Sequence, residues 1–306
     1  MPTVVDASDV VKRWGKTTAL DRATLKIGAG VTGLLGANGA GKTTFIGLVL
    51  GMHRADGGAL RVLGMDPWAD GLAVRAQVGY APEHDALPPD VTAHDLVRHL
   101  AQVHGLPRRE ATARASDVLY ELGLGEERFR QIGTMSTGQK QRVKLAQAIS
   151  HDPELVLLDE PTNGLDPVQR DEMLALVRKV GHELGINVVL SSHLLDEVER
   201  VSDAVVILDA GRAVAGGTIG ELGRTGDAEL LVEIDGRGSR RLVDDLARAG
   251  VAAVIDGDRV VVALESDRVY DLVRDALAAA DLGVRRLQRR RTSLEDVYLS
   301  AGDGAA

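Results

Sequence analysis

The stretch Gly36-Ala37-Asn38-Gly39-Ala40-Gly41-Lys42-Thr43-Thr44 constrains this chain more than any other. It follows the pattern G-x-x-x-x-G-K-[ST], a phosphate cradle. Its glycines let the backbone curl tightly with N–H groups turned inward, where a Cβ would hold a phosphate off. Lys42 brings a point charge to the outer phosphates, and the Thr43 hydroxyl suits a magnesium ion. Val31–Leu35 ahead of it reads as a short buried strand. Phe45–Leu50 behind it continues as a helix, whose N-terminus then faces the anion. A strand, this loop and a helix together imply an α/β fold that binds a nucleoside triphosphate. The plain alternative is a glycine-rich surface turn before a helix.

A chain of 306 residues is expected to hold about two domains. It has no cysteine, which excludes disulfides and thiolate chemistry. The formal charge of −9 gives no global basic field, so nucleic acid is not an expected partner. No apolar run approaches the length needed to cross a membrane as a helix, about 18–20 residues. Met1-Pro2-Thr3-Val4-Val5-Asp6 lacks a basic region before an apolar core, so a cytoplasmic location is expected.

Short strands are expected before the loop, around Val4-Val5, Val10–Lys12 and Ala23–Ile27. Trp14 sits in a turn between them, either as a stacking platform for a purine or as a half-buried loop residue. Val91 to about Ser150 is helical in pattern, with Thr92 as an N-cap and Asp95 three residues on. His94, His99 and His104 recur every five residues, about 140° apart on a helix, and so do not converge on a metal. Ser136-Thr137-Gly138-Gln139 opens an alanine-rich helix and makes a second, weaker anion site as well as a good helix cap.

Leu155–Leu158 is a continuous apolar run, as a strand buried on both faces should be. It delivers Asp159 and Glu160 at its C-terminal end, where open α/β sheets bind ligands. Adjacent carboxylates at an apolar strand end suit magnesium binding through a water and the positioning of an attacking water. Asn187–Leu190 is a second such strand and delivers His193 to the same edge. Beyond a polar boundary near Gly220–Ala228, the order β-α-β-β-α-β over 228–306 is that of a ferredoxin-like domain. Arg285, Arg286, Arg289, Arg290 and Arg291 form a basic run there. It reads either as a solvated edge strand that deters pairing or as an RNA or membrane-surface contact.

Taken in order, these motifs over residues 3–220 resemble the nucleotide-binding subunit of an ATP-binding-cassette (ABC) transporter. Trp14 falls at the family's adenine-stacking aromatic and Gly36–Thr44 at its P-loop. Glu83 stands where a Q-loop glutamine is usual. Met135–Gln139 matches the signature sequence, with Met135 and Thr137 in place of leucine and glycine but Ser136 and Gly138 kept. Asp159 and Glu160 match the magnesium aspartate and catalytic glutamate, Asp166 the D-loop, and His193 the switch histidine. Ser293–Leu299 resembles the tail of ATPase subunits of two-component exporters, whose permease is a separate chain.

The resemblance implies a P-loop NTPase core at 1–220 with an antiparallel β subdomain and a helical subdomain at about 91–150. It implies ATP as substrate and Mg²⁺ held by Thr43, Glu83 and, through water, Asp159. It also implies hydrolysis by Glu160 and His193 and a homodimer in which Ser136–Gln139 of one copy closes over the phosphates of the other. The work would be export through an integral-membrane permease, with the chain peripheral on the inner face of the membrane. The rival within the same class is an ATPase acting on ribosomes or nucleic acid. Such families typically carry two cassettes or a long coiled-coil insertion, whereas this chain has one P-loop and no such insertion.

Overall fold

The computed structural model describes residues 3–84, 87–221, 229–234, 238–257, 259–264, 266 and 268–290. They fall into two compact units, Met1–Thr218 and Ile219–Ala306. The tail resemblance at 293–299, Arg291 and most of the polar boundary at 220–228 lie outside the described residues.

The first unit begins β1 (Thr3–Trp14), β2 (Thr17–Gly28), β3 (Val31–Leu35), α1 (Lys42–Val49) and β4 (Gly57–Val62). It continues α2 (Gly71–Gln77), β5 (Val78–Ala81), α3 (Ala93–Val103), α4 (Arg108–Glu121) and α5 (Thr137–Ile149). It ends β6 (Leu155–Asp159), α6 (Pro167–His182), β7 (Asn187–Ser192), α7 (Leu195–Val201), β8 (Ala204–Asp209) and β9 (Arg212–Thr218).

Two sheets organise this unit. β1 is flanked by β2 and β4 in an antiparallel sheet. The second sheet has the order β5-β6-β7-β3-β8-β9, parallel except for the β8–β9 pair. Every residue of β3 and β6 is buried, as the apolar run Leu155–Leu158 requires. α1 is buried almost all round because one core holds it against both sheets. Phe45, Ile46, Leu48 and Val49 pack with Val5, Val10 and Leu20 of the antiparallel sheet and with Leu34, Leu157 and Val206 of the parallel one.

The 91–150 stretch is less continuous than its pattern suggests. Gly105 (φ 97°) and Gly123 (φ 75°) adopt the left-handed conformation that stops α3 and α4. Two short 3₁₀ turns, Glu126–Phe129 and Ile132–Thr134, precede α5. Thr92 caps α3 by accepting the Asp95 N–H at 3.0 Å. His94 and His99 lie on α3, and His104, its C-cap, stacks on His151 beyond α5, with ring centroids 3.7 Å apart.

The second unit runs β10 (Glu229–Ile234), α8 (Ser239–Arg248), β11 (Ala253–Asp256), β12 (Arg259–Ala263), α9 (Arg268–Ala279) and β13 (Val284–Arg290). Its antiparallel sheet has the order β11-β12-β10-β13, so the last strand lies beside the first. Leu242, Leu246, Val269, Val273 and Leu277 of the helices pack on Leu230, Val232, Val260 and Val262 of the strands. Arg285, Arg286, Arg289 and Arg290 lie on β13, an edge strand of this sheet.

Candidate functional site

β6, β7 and β3 are neighbours, so the loops at their C-terminal ends share one edge of the sheet. The loop after β3 is the P-loop. Gly41 takes φ 105° and Gly39 φ 84°, conformations that glycine adopts readily. Gly36 also has no room for a side chain, since a Cβ would stand 2.4 Å from the Leu208 carbonyl oxygen. α1 begins at Lys42 with no side-chain cap and no acidic residue in its first turn, leaving its N–H groups for an anion. A cleft of about 350 Å³ opens there. Ala19, Ala37, Asn38, Gly39, Gly41, Lys42, Thr43 and Thr44 line it, together with Glu83 and Glu160. Gly36 and Ala40 shape the loop from beneath. Ala40 is buried, and its carbonyl accepts the Gly211 N–H at 3.1 Å.

Lys42 is almost wholly buried. Its Nζ donates to the Gly36 carbonyl at 2.6 Å and pairs with Glu160 Oε1 at 3.1 Å. That Oε1 accepts no hydrogen bond. The other oxygen, Oε2, lies 2.9 Å from His193 Nδ1. Glu160 therefore stands between the P-loop cation and the histidine. Its backbone is left-handed, φ 48°, a conformation that strains a residue with a side chain by about 1–2 kcal/mol. Ser191 on β7 holds it there. The Ser191 hydroxyl oxygen accepts the Glu160 N–H at 3.0 Å and donates its own proton to Asp159 Oδ1 at 2.6 Å.

Burial pushes the Asp159 carboxyl above its ordinary range. Hydrogen bonds from Ser191 and Thr43 act against this, while the charges of Glu83 and Glu160 add to it. Thr43, Asp159 and Glu83 are thus drawn together, with carboxylates crowded around a hydroxyl and Lys42 as the paired cation. This acceptor-rich, oxygen-only set fits a hard divalent ion that keeps most of its waters, as magnesium does. Glu83 is fixed at both ends. Its carbonyl accepts from the buried Lys144 Nζ at 2.9 Å, and its Oε1 accepts from Asn163 Nδ2 at 3.1 Å.

The remaining sequence candidates lie elsewhere. Ser136 caps α5 in a reciprocal box, accepting the Gln139 N–H while the Gln139 side chain accepts the Ser136 N–H. Ser136 and Thr137 are exposed, and none of residues 136–139 is among the cleft's lining. Gly138 lies close under Gln169 of α6. Asp166 is the N-cap of α6, accepting the Gln169 N–H at 2.9 Å. Trp14 ends β1 with one edge contact to His53 and the Lys12 ammonium 4.7 Å from its ring centre. It is 46% exposed and outside the cleft's lining, where the hairpin contributes Ala19.

Four supporting residues escape a reading of the sequence: Thr162, Ser191, Ser192 and Glu197. Glu197, on α7, is 3% exposed, and its Oε2 accepts the hydroxyls of Thr162 at 2.7 Å and Ser192 at 2.8 Å. The only hint in the sequence is a pair of serines ending an apolar strand.

The ABC transporter family model matches residues 20–163. The daunorubicin/doxorubicin resistance ATP-binding protein DrrA of Streptomyces peucetius is 32% identical over 97% of this chain and 91% of its own length. This chain belongs to the ATP-binding subunits of ABC transporters. The bacitracin transport ATP-binding protein BcrA of Enterococcus faecalis is 29% identical to this ABC subunit across all of it and 99% of its own length. A solved ATP-binding subunit of an ABC transporter superposes on the ABC subunit with a TM-score of 0.65 at 30% identity, covering 72% of this chain and 92% of that one. The ABC subunit is accordingly an ATPase with a P-loop NTPase fold.

Proposed function

We propose that this subunit powers export through a separate integral-membrane permease, working as a pair of identical chains at the membrane's inner face and without nucleic acid. The relatives named for drug resistance and bacitracin transport support that direction. No helix among the described residues is long and apolar enough to cross a membrane, which agrees with a permease on another chain.

The observation that carries the catalytic reading is Glu160, held between Lys42 and His193 at the edge that also bears the P-loop. In this reading the P-loop N–H groups and Lys42 bind the ATP phosphates, and Trp14 stacks on the adenine. Thr43, Glu83 and, through water, Asp159 would hold Mg²⁺, which when bound offsets phosphate charge. Glu160 orients the attacking water in line with the γ-phosphate. His193 fixes the carboxylate through Nδ1 and stabilises the charge that develops. Ser136–Gln139 lie outside the chain's own cleft, so they act on the nucleotide of the second copy, with Asp166 beside that junction.

The test is fractionation of cells expressing the chain alone or together with a candidate integral-membrane permease. The chain should sediment with membranes only when the permease is present, and should then support ATP-dependent efflux. Salt-sensitive sedimentation with ribosomes instead would overturn the reading.

A further inference from the structure

Glu197 is a buried carboxylate for which the hydrolysis reaction just described has no use. Its Oε1 faces Arg170 Nε at 3.3 Å as an ion pair and accepts no hydrogen bond. All its hydrogen bonding is concentrated on Oε2, which receives the hydroxyls of Thr162 and Ser192. Thr162 and Ser192 are themselves buried, and the Ser192 oxygen also accepts the Leu194 N–H at 3.0 Å. Burying a carboxylate is unfavourable by several kcal/mol unless charge and hydrogen bonds compensate it. A charge kept in such a place is therefore either a fixed part of the fold or a device that holds something in position.

Sequence adjacency decides between them. Thr162 lies two residues after Glu160, and Ser192 one residue before His193. Glu197 thus ties the loop that carries Glu160 to the turn that carries His193, a second link beside their own 2.9 Å contact. β7 ends in two serines that divide the task. Ser191 binds Asp159 and the Glu160 N–H, while Ser192 binds Glu197. The strained φ of Glu160 needs restraint on both sides. Ser191 supplies it at the residue itself, and the Asn163 N–H bond to the Glu160 carbonyl at 3.1 Å closes the turn that Thr162 anchors.

We infer that Glu197 is a positioning residue for hydrolysis, setting the distance between Glu160 and His193 through Thr162 and Ser192. This rests on the assignment of Glu160 and His193 made above. It touches no substrate, so its loss should slow turnover without weakening ATP binding.

The experiment measures kcat, KM for ATP and melting temperature of the full chain with its transporter, for E197A, E197Q, T162V, T162S and S192A, with E160Q alongside. E197A and T162V should each lower kcat at least tenfold while KM stays within twofold. T162S, which keeps the hydroxyl, should restore most of the rate, and the T162V/E197A double variant should be no slower than E197A alone. A normal kcat in folded E197A and E197Q, or additive losses in the double variant, would overturn the inference. Normal turnover by E160Q would instead remove the reading beneath it.

Discussion

Lys42 and Glu160 neutralise each other across the nucleotide cleft, Nζ to Oε1 at 3.1 Å, with both side chains almost fully buried. In the proposed reading, the cation assigned to phosphate is held by the carboxylate assigned to water. On that reading, a phosphate taking Lys42 would compete with Glu160 for it, and His193 is the partner the carboxylate would keep.

Glu160→Gln removes that competition. ATP binding should be retained or tightened, while turnover falls roughly 10²-fold or more, the usual scale for losing a positioned base. An ATP-bound dimer should accumulate. Calorimetric binding and steady-state phosphate release check both halves, and near-normal hydrolysis would remove Glu160 from the chemistry.

Ser136→Arg should abolish hydrolysis yet leave ATP binding to the single chain unchanged. Ser136 is exposed and outside the chain's own cleft. The substitution also removes an N-cap worth about 1 kcal/mol. Ser136→Asn, which keeps a capping side chain, separates the two effects in thermal melts. Loss of binding by the monomeric arginine variant would contradict action across an interface.

Trp14→Ala should weaken ATP affinity by about 1–3 kcal/mol, the scale of one base stacked on an aromatic ring, and Trp14→Tyr should restore it. The ring has an exposed surface to offer, with Lys12 and His53 as its described neighbours. Competition by nucleotides lacking a base would be insensitive to the change if stacking is the reason.

The stacked pair His104 and His151 gives a pH prediction. Burial lowers both imidazoles, and His151, with the His104 charge opposing its own, falls to about 4. Asp152 and the Val78 backbone act against that shift, and Arg114 acts with it. A lowered histidine in the fold means that the unfolded chain binds protons first. Stability should be full above about pH 6.5 and fall as the pH drops toward 4, by roughly 2 kcal/mol after allowing for partial exposure. Urea unfolding at pH 7 and pH 5 should show the loss, and His151→Leu should flatten it.

What could be read before the structure follows from how locally each feature is encoded. The P-loop is contiguous, and its glycines, lysine and hydroxyl announce it. Asp159 and Glu160 stand out because they end an apolar strand. Glu197 did not stand out, because its partners are 35 and 5 residues away and meet only when β7 lies beside β6. α7 and β9 likewise escaped notice. α7 spans only seven residues, and β9 is a partly exposed edge strand rich in glycine and alanine. The breaks within 91–150 are written in Gly105 and Gly123, but the leucines beside them, Leu106, Leu122 and Leu124, continue an apolar helical pattern.

α5 has one further consequence. Ser136 caps its first turn, and Lys144, about 12 Å further along at 1.5 Å per residue, grips the backbone of Glu83. A helix is stiff over such a length. Ser136 and Glu83 are thus joined through one helix, and Glu83 through Asn163 to the loop that carries Glu160. Labels placed at its two ends would report whether the two ends move as one.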